Sequence, residues 1–230
     1  MSVNISPSML DVIRARHSVR EYHDRPIDPD TLAALQAVVD ACARESGLDI
    51  QVVTDNPEAF RLVARFGLVR GATTHIAFVT DGNTQDEAVG YWGQRIVLAA
   101  QKLGLNTCWV AFIARKKSHA HVPTGKKLRI GIAVGHGKTQ GAPRKTKTVE
   151  ELSVVESDAA PAWFATAMEA AQLAPTAMNN QHFLITLHAD GRTVGAQATK
   201  QGAWDTVDLG IVKRNFEEAA NAVGADWRWE

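Results

Sequence analysis

Cysteine is nearly missing: Cys42 and Cys108 are the only two in 230 residues, with neither C-x-x-C nor regular spacing between them. A disulfide framework is excluded as the basis of the fold, and a reducing, cytoplasmic compartment is expected. No run approaches 18 apolar residues, so no membrane span is expected. The opening "MSVNISPSMLDVIRAR" lacks the charged and then apolar stretches of a secretion signal. No G-x-S-x-G elbow occurs, which leaves covalent hydrolase chemistry unsupported. Metal spacing is lacking as well. His119 and His121 flank one alanine among lysines, where neighbouring cations would repel a divalent ion.

The most telling absence is of acid. Net charge is zero, with 25 basic and 25 acidic residues, yet Ala88 to Val149 holds no Asp or Glu. Twelve of the 25 Lys and Arg lie there, so the rest of the chain sets 13 cations against all 25 carboxylates. Such a field suits a polyanionic partner, for example a phosphorylated cofactor or nucleic acid; it equally suits a solvated basic face balanced by acidic helices. Two phosphate motifs fail within this stretch. "GIAVGHGKT" has Ile132 where a P-loop needs its first glycine, and "GHGKTQG" has its third glycine one place late for a dinucleotide fingerprint. Ala142-Pro143 follows instead of a helix.

What is present reads as alternating helices and strands, an α+β or α/β pattern long enough to bury a full core. Ser8 with Asp11 predicts a short capped helix through Ala15, and Asp28-Pro29 a stronger helix start. "DIQVVTD", "THIAFVTD", "NTCWVAFI", "LRIGIAVG" and "QHFLITLH" read as strands. Residues 87–105, "APAWFATAMEAAQLAP" and "TVDLGIVKRNFEEAANAVGA" read as helices, the first apolar on every side around Ile96–Ala100 and therefore central. The order repeats. A shift of 120 residues lays Gly90 on Gly210, Ala99-Ala100 on Ala219-Ala220, Gly104 on Gly224 and Trp109 on Trp229. A shift of 133 lays "ACARESGLDIQVV" on "APTAMNNQHFLIT". An internal duplication is expected, with halves at 1–150 and 151–230.

One stretch concentrates donors. "RARHSVR" packs Arg14, Arg16, Arg20, His17 and Ser18 into seven residues before a Pro-Ile-Asp-Pro turn. Cations there could simply complement a helix C-terminus. Guanidinium, imidazole and hydroxyl groups beside a turn can also surround a phosphate with directed donors. "PRKTK", Pro143 to Lys147, is a second cationic cluster.

These residues carry a family resemblance. The chain resembles the FMN-dependent nitroreductases, in particular the single-chain branch with a second partial copy fused after the first. "RARHSVREY" is similar to that family's Arg-His/Arg-Ser-x-Arg/Lys segment, "GYWGQRIVLAAQKLGLNTCWV" to its central helix and strand, "APTAMNNQHFLI" to its Ala-Pro-Ser-x-x-Asn-x-Gln-Pro-Trp segment, and "PRKTKTVEEL" to its basic tail. The resemblance implies a nitroreductase-like α+β fold, a central mixed sheet flanked by helices. It also implies an intramolecular pseudodimer, a monomer in solution, holding one FMN. Arg16, His17, Ser18, Arg20, Arg144, Lys145 and Lys147 would meet the phosphate. Backbone groups of Trp109, Val110 and Ala111 would lie by the flavin N5 edge, and Pro175, Thr176 and Asn179 would reach it from the other half. NADH or NADPH would be the donor and a nitroaromatic, quinone or related small molecule the acceptor, in a ping-pong scheme. No catalytic residue and no nucleic-acid partner is expected, because the cofactor carries the chemistry. Thr176 stands for the usual serine and keeps its hydroxyl; His182 and Phe183 replace Pro and Trp, Met178 replaces a small residue, and Thr146 interrupts the tail. A flavin-binding protein without turnover and a polyanion-binding protein are the alternatives.

Overall fold

The computed structural model describes residues 8–82 and 84–230. Positions 1–7, on which the reading of the chain's opening rests in part, lie outside them. The described residues form two compact units, 16–143 and 8–15 with 144–230.

The larger unit contains α2 (Pro29–Ser46), β1 (Asp49–Val53), α3 (Arg61–Arg65), β2 (Thr74–Thr80), α4 (Asp86–Lys102), β3 (Asn106–Val110) and β4 (Lys127–Gly135). Its four strands form an antiparallel sheet in the order β1-β2-β4-β3. All seven residues of β2 are buried, as a central strand covered on both faces requires. α2 starts where Asp28 accepts from the Thr31 N–H at 2.9 Å with proline in the first turn, and Leu35, Val39 and Cys42 form its buried stripe. It stops at Gly47, whose φ of 71° lets its N–H reach back to the Ala43 carbonyl. α4 buries nine of its 17 residues. Gly93 is required there, because a Cβ would fall 2.3 Å from the Trp109 ring. That ring stacks on Phe78 at 5.8 Å and donates its N–H to Gln94 Oε1. At the start of α4, Asp86 receives two bonds from Arg129 of β4, at 2.8 and 2.6 Å, with both side chains nearly buried.

The smaller unit contains α1 (Met9–Ala15), α5 (Val149–Leu152), β5 (Ser153–Val155), α6 (Ala162–Gln172), β6 (Phe183–Leu187), β7 (Thr193–Ala198), α7 (Asp205–Ala222) and β8 (Arg228–Trp229). Its sheet runs β5-β6-β7-β8 and is mixed. α6 and α7 are locked by buried Asn215, which donates to the Ala170 carbonyl at 2.9 Å. Arg14 fixes α1 through two bonds to Glu169 of α6. Phe216 of α7 sits amid Phe164, Trp163, Trp227 and Trp229, with ring centroids 5.3 to 6.1 Å away.

The repeat read from the sequence corresponds to real elements. A shift of 133 carries Pro29, the first residue of α2, onto Ala162, the first residue of α6, and carries β1 onto 182–186, one place from β6. A shift of 120 carries α4 onto 206–222, within α7, and β2 onto 194–200, overlapping β7. Gly104 and Gly224 both take positive φ, 75° and 68°, just past the ends of α4 and α7. One difference stands out. β4 separates β2 from β3 in the larger unit, whereas β8 lies directly beside β7 in the smaller one.

Candidate functional site

In the larger unit the Arg16–Arg20 segment leaves α1 and runs extended. The Val19 N–H donates to the Thr107 carbonyl at 3.0 Å, so residues 18–19 add to the edge of the sheet beside β3. Val19 and Tyr22 point into the core and hold the segment down, since each is almost fully buried. Arg16 is buried, His17 and Ser18 are half-buried, and Arg20 is exposed. The loop after β4 packs against this segment. Gly141, at φ 79°, approaches so closely that a Cβ would lie 2.6 Å from His17 Cβ. Asn106 organises that loop, accepting from the Gly137 N–H at 2.9 Å and donating to Gln140 Oε1 at 3.0 Å. A polar cleft of about 500 Å³ opens there, with His23, Arg25 and His136 among its walls. Burial, reinforced by Arg25, lowers the His136 pKa.

Trp109, Val110 and Ala111 occupy the end of β3 and the residue beyond it. Trp109 is paired with Ile132 and Val110 with Gly131. The Trp109 side chain is committed to α4, so only backbone groups of this stretch could serve a ligand, as the resemblance implies. On the opposite face His75 is fully buried, with Nε2 3.0 Å from Ser118 Oγ and Phe60 edge-on at 5.6 Å. Burial takes its pKa down to about 4.

In the smaller unit the basic tail and the segment after α6 form one hydrogen-bonded cluster. Arg144 donates to the Leu173 carbonyl at the end of α6, satisfying a group the helix leaves open. Gln172 Nε2 donates to the Lys147 carbonyl at 2.7 Å. Lys147 Nζ donates to the Gln181 carbonyl at 3.0 Å, while the Lys147 N–H donates to Gln181 Oε1 at 3.1 Å. Asn179 Nδ2 donates to the Lys145 carbonyl at 2.8 Å. Thr176 Oγ1 accepts from the Gln181 N–H at 3.1 Å.

The enclosed segment is strained. Met178, Asn179 and Gln181 take φ of 52°, 57° and 50°, a region that costs most non-glycine residues roughly 1–2 kcal/mol each. Such conformations persist where surroundings impose them, and they concentrate at functional sites. Two carboxylates from the first turn of α7 flank this segment. Buried Asp208 accepts from the Ala177 N–H at 2.8 Å. Asp205 faces His182 Nδ1 at 3.1 Å and accepts from the Gly202 N–H at 2.7 Å. Burial pushes the Asp208 pKa up to about 7; the Ala177 N–H opposes this and Asp205 adds to it. Met178 is 90% exposed at the tip, whereas Asn179 Oδ1 is buried and accepts no hydrogen bond among the described residues.

The sequence-predicted residues therefore fall into two groups. Arg16, His17, Ser18, Arg20, Trp109, Val110 and Ala111 belong to the larger unit; Arg144, Lys145, Lys147, Pro175, Thr176 and Asn179 belong to the smaller. Arg144 and Lys147 hold backbone carbonyls of their own unit, and of the tail only Lys145 is exposed among its three cations. Asn106, Gln181, Asp205 and Asp208 were missed. The two aspartates at i and i+3 ahead of an apolar helix were visible, but they read equally well as ordinary charges at a helix N-terminus.

Comparison with known proteins fits this architecture. Residues 8–220 match the family model described as "Putative TM nitroreductase", and the chain belongs to this nitroreductase family. Among solved structures it is similar to a putative nitroreductase from Thermotoga maritima, with a TM-score of 0.68, 19% identity, and coverage of 97% of this chain and 88% of that one. It is also similar to a putative NADH dehydrogenase/NAD(P)H nitroreductase from Parabacteroides distasonis, with a TM-score of 0.50, 22% identity, and coverage of 63% and 95%. A putative nitroreductase from Desulfovibrio desulfuricans, solved in complex with FMN, matches at a TM-score of 0.49 and 24% identity, covering 64% and 95%. No curated protein sequence matches the chain. No described helix is long and apolar enough to cross a membrane.

Proposed function

We propose that this chain is an FMN-dependent oxidoreductase that moves electrons from NADH or NADPH to a nitroaromatic, quinone or related small acceptor. The observation that carries this reading is membership of the nitroreductase family across residues 8–220. The donor set fits the cofactor. Arg16, His17, Ser18 and Arg20 supply cations and a hydroxyl for a phosphate, each charge-assisted bond being worth about 1.5–3 kcal/mol. Lys145 adds positive field, and Arg144 and Lys147 do so while anchoring their own unit. The buried Asn179 Oδ1 is an acceptor suited to a ring N–H. Pro175 and Thr176 shape that edge, and backbone groups of Trp109, Val110 and Ala111 offer donors of the kind a reduced ring nitrogen needs.

Bound FMN would supply the two-electron chemistry, meeting donor and acceptor in turn on one face. The protein's part is to orient the ring, neutralise the phosphate and exclude water. No side chain needs to act as acid or base. The matching element order of the two units supports descent from two copies, residues 1–150 and 151–230 in sequence, acting together as a pseudodimeric monomer. An absorption spectrum of the purified protein after FMN is added and excess removed is the test. Retained yellow flavin, bleached by NADH or NADPH without oxygen, is the expected result. A colourless protein overturns the reading; retained flavin that neither nucleotide reduces leaves a flavin-binding protein without turnover.

A further inference from the structure

We propose that Asp208 is a positioning residue: through the Ala177 N–H it holds the Thr176–Gln181 segment in the left-handed turn that sets Asn179 for the cofactor. This rests on the FMN reading above. The geometry is that of a clamp with two jaws on one rigid support. Asp208 grips the entrance of the segment at Ala177, and Asp205, one turn earlier on α7, grips its exit at His182. Between those points three non-glycine residues hold positive φ, which an untethered chain would abandon. The Gln181 N–H closes the turn on Thr176 Oγ1, and the Asn179 side-chain amide is tied to the Lys145 carbonyl. With Nδ2 so occupied, the buried Oδ1 is left as an acceptor with no hydrogen-bond partner among the described residues. The Asp208 carboxylate is buried, with a second carboxylate nearby, and both push it toward the neutral form.

Three substitutions test this in the full-length protein. Asp208→Val removes the acceptor and puts a compact apolar side chain in its place. Asp208→Asn keeps an acceptor for the Ala177 N–H. Ala177→Pro removes the donor and leaves Asp208 in place; the extended conformation of Thr176 (φ −95°, ψ 154°) suits the position before a proline. Two quantities are measured: amide hydrogen exchange of the peptide covering 174–182 without FMN, and the FMN dissociation constant. Asp208→Val and Ala177→Pro are expected to speed exchange in that peptide and weaken FMN about tenfold, with Asp208→Asn restoring both toward wild type. Unchanged exchange in Asp208→Val and Ala177→Pro overturns the clamp. Faster exchange with unchanged FMN affinity overturns its link to the cofactor. A wild-type protein that binds no FMN while its exchange responds as expected overturns the FMN reading and that link together, leaving the clamp itself in place.

Discussion

Two helix-to-strand links occupy equivalent places in the two units and are built in opposite ways. From α2 to β1 the chain needs only Gly47 and Leu48, with the glycine taking the left-handed turn at no steric cost. From α6 to β6 it uses ten residues, 173–182, and places Met178, Asn179 and Gln181 in conformations better suited to glycine. The two helices begin in register under the shift of 133, but α6 is 11 residues long against 18. Where the larger unit has the last two turns of α2, the smaller thus has a segment with three non-glycine residues at positive φ. A link that serves connection alone takes the cheapest backbone. A link that must aim polar atoms keeps an expensive one and needs outside support.

The supports differ too, and this gives the largest expected effect. Asp86 at the start of α4 is spent on a nearly buried pair with Arg129, whereas Asp205 faces a half-buried histidine. Arg129→Met should cost about 3–5 kcal/mol in denaturant unfolding, because it strands a buried carboxylate. His182→Ala should cost about 1 kcal/mol or less. Equal losses would break the comparison.

Acidity should separate the units next. His75 in the larger unit has its pKa depressed by burial to about 4, so the stability it contributes is present above pH 6.5 and lost as pH falls toward 4. Asp208 in the smaller unit has its pKa raised to about 7, so its contribution is present below the ordinary carboxylate range and lost as pH rises toward 7. Asp205, which faces His182 at 3.1 Å, adjoins it and adds to the upward push. Unfolding followed across pH should show His75→Gln flattening the acid-side loss and Asp208→Asn flattening the loss toward neutrality. One shared trend for both variants would contradict the assignment.

Flavin affinity comes third. Arg16→Ala and Asn179→Ala should each weaken FMN by about 1.5–3 kcal/mol, roughly ten- to hundredfold, read by fluorescence titration. If Asn179→Ala leaves affinity untouched, the smaller unit does not serve the cofactor. The smallest effects lie in the links themselves. Gly47→Ala should lose about 1 kcal/mol and Met178→Gly should gain up to about 1 kcal/mol, both from thermal unfolding.

Much of this organisation was legible in the residues. The Asp28-Pro29 cap, the all-round apolar Ile96–Ala100 stretch and the two repeat shifts each mark an element that the structure contains. β7 was not legible: Thr193–Ala198 carries glycine, alanine and glutamine in place of an alternating pattern, and it is a strand because β6 and β8 pair with it. α3 escaped as well, being five residues long and held by tertiary packing. Within the site, residue types gave the cations and Asn179. They could not show that Arg144 and Lys147 would turn to carbonyls of their own unit, or that Asp208 would reach Ala177 across 31 positions. Such long-range bonds leave no period or spacing to read.

The aromatic rings around Phe216 have an optical consequence. Trp227 and Trp229 lie 4.8 Å apart at nearly a right angle, and Trp163 stacks on Trp227 at 6.2 Å. Indoles this close share their excited states, so the smaller unit should carry its own coupled chromophore. Its melting can then be watched in circular dichroism through the exciton signal of these rings.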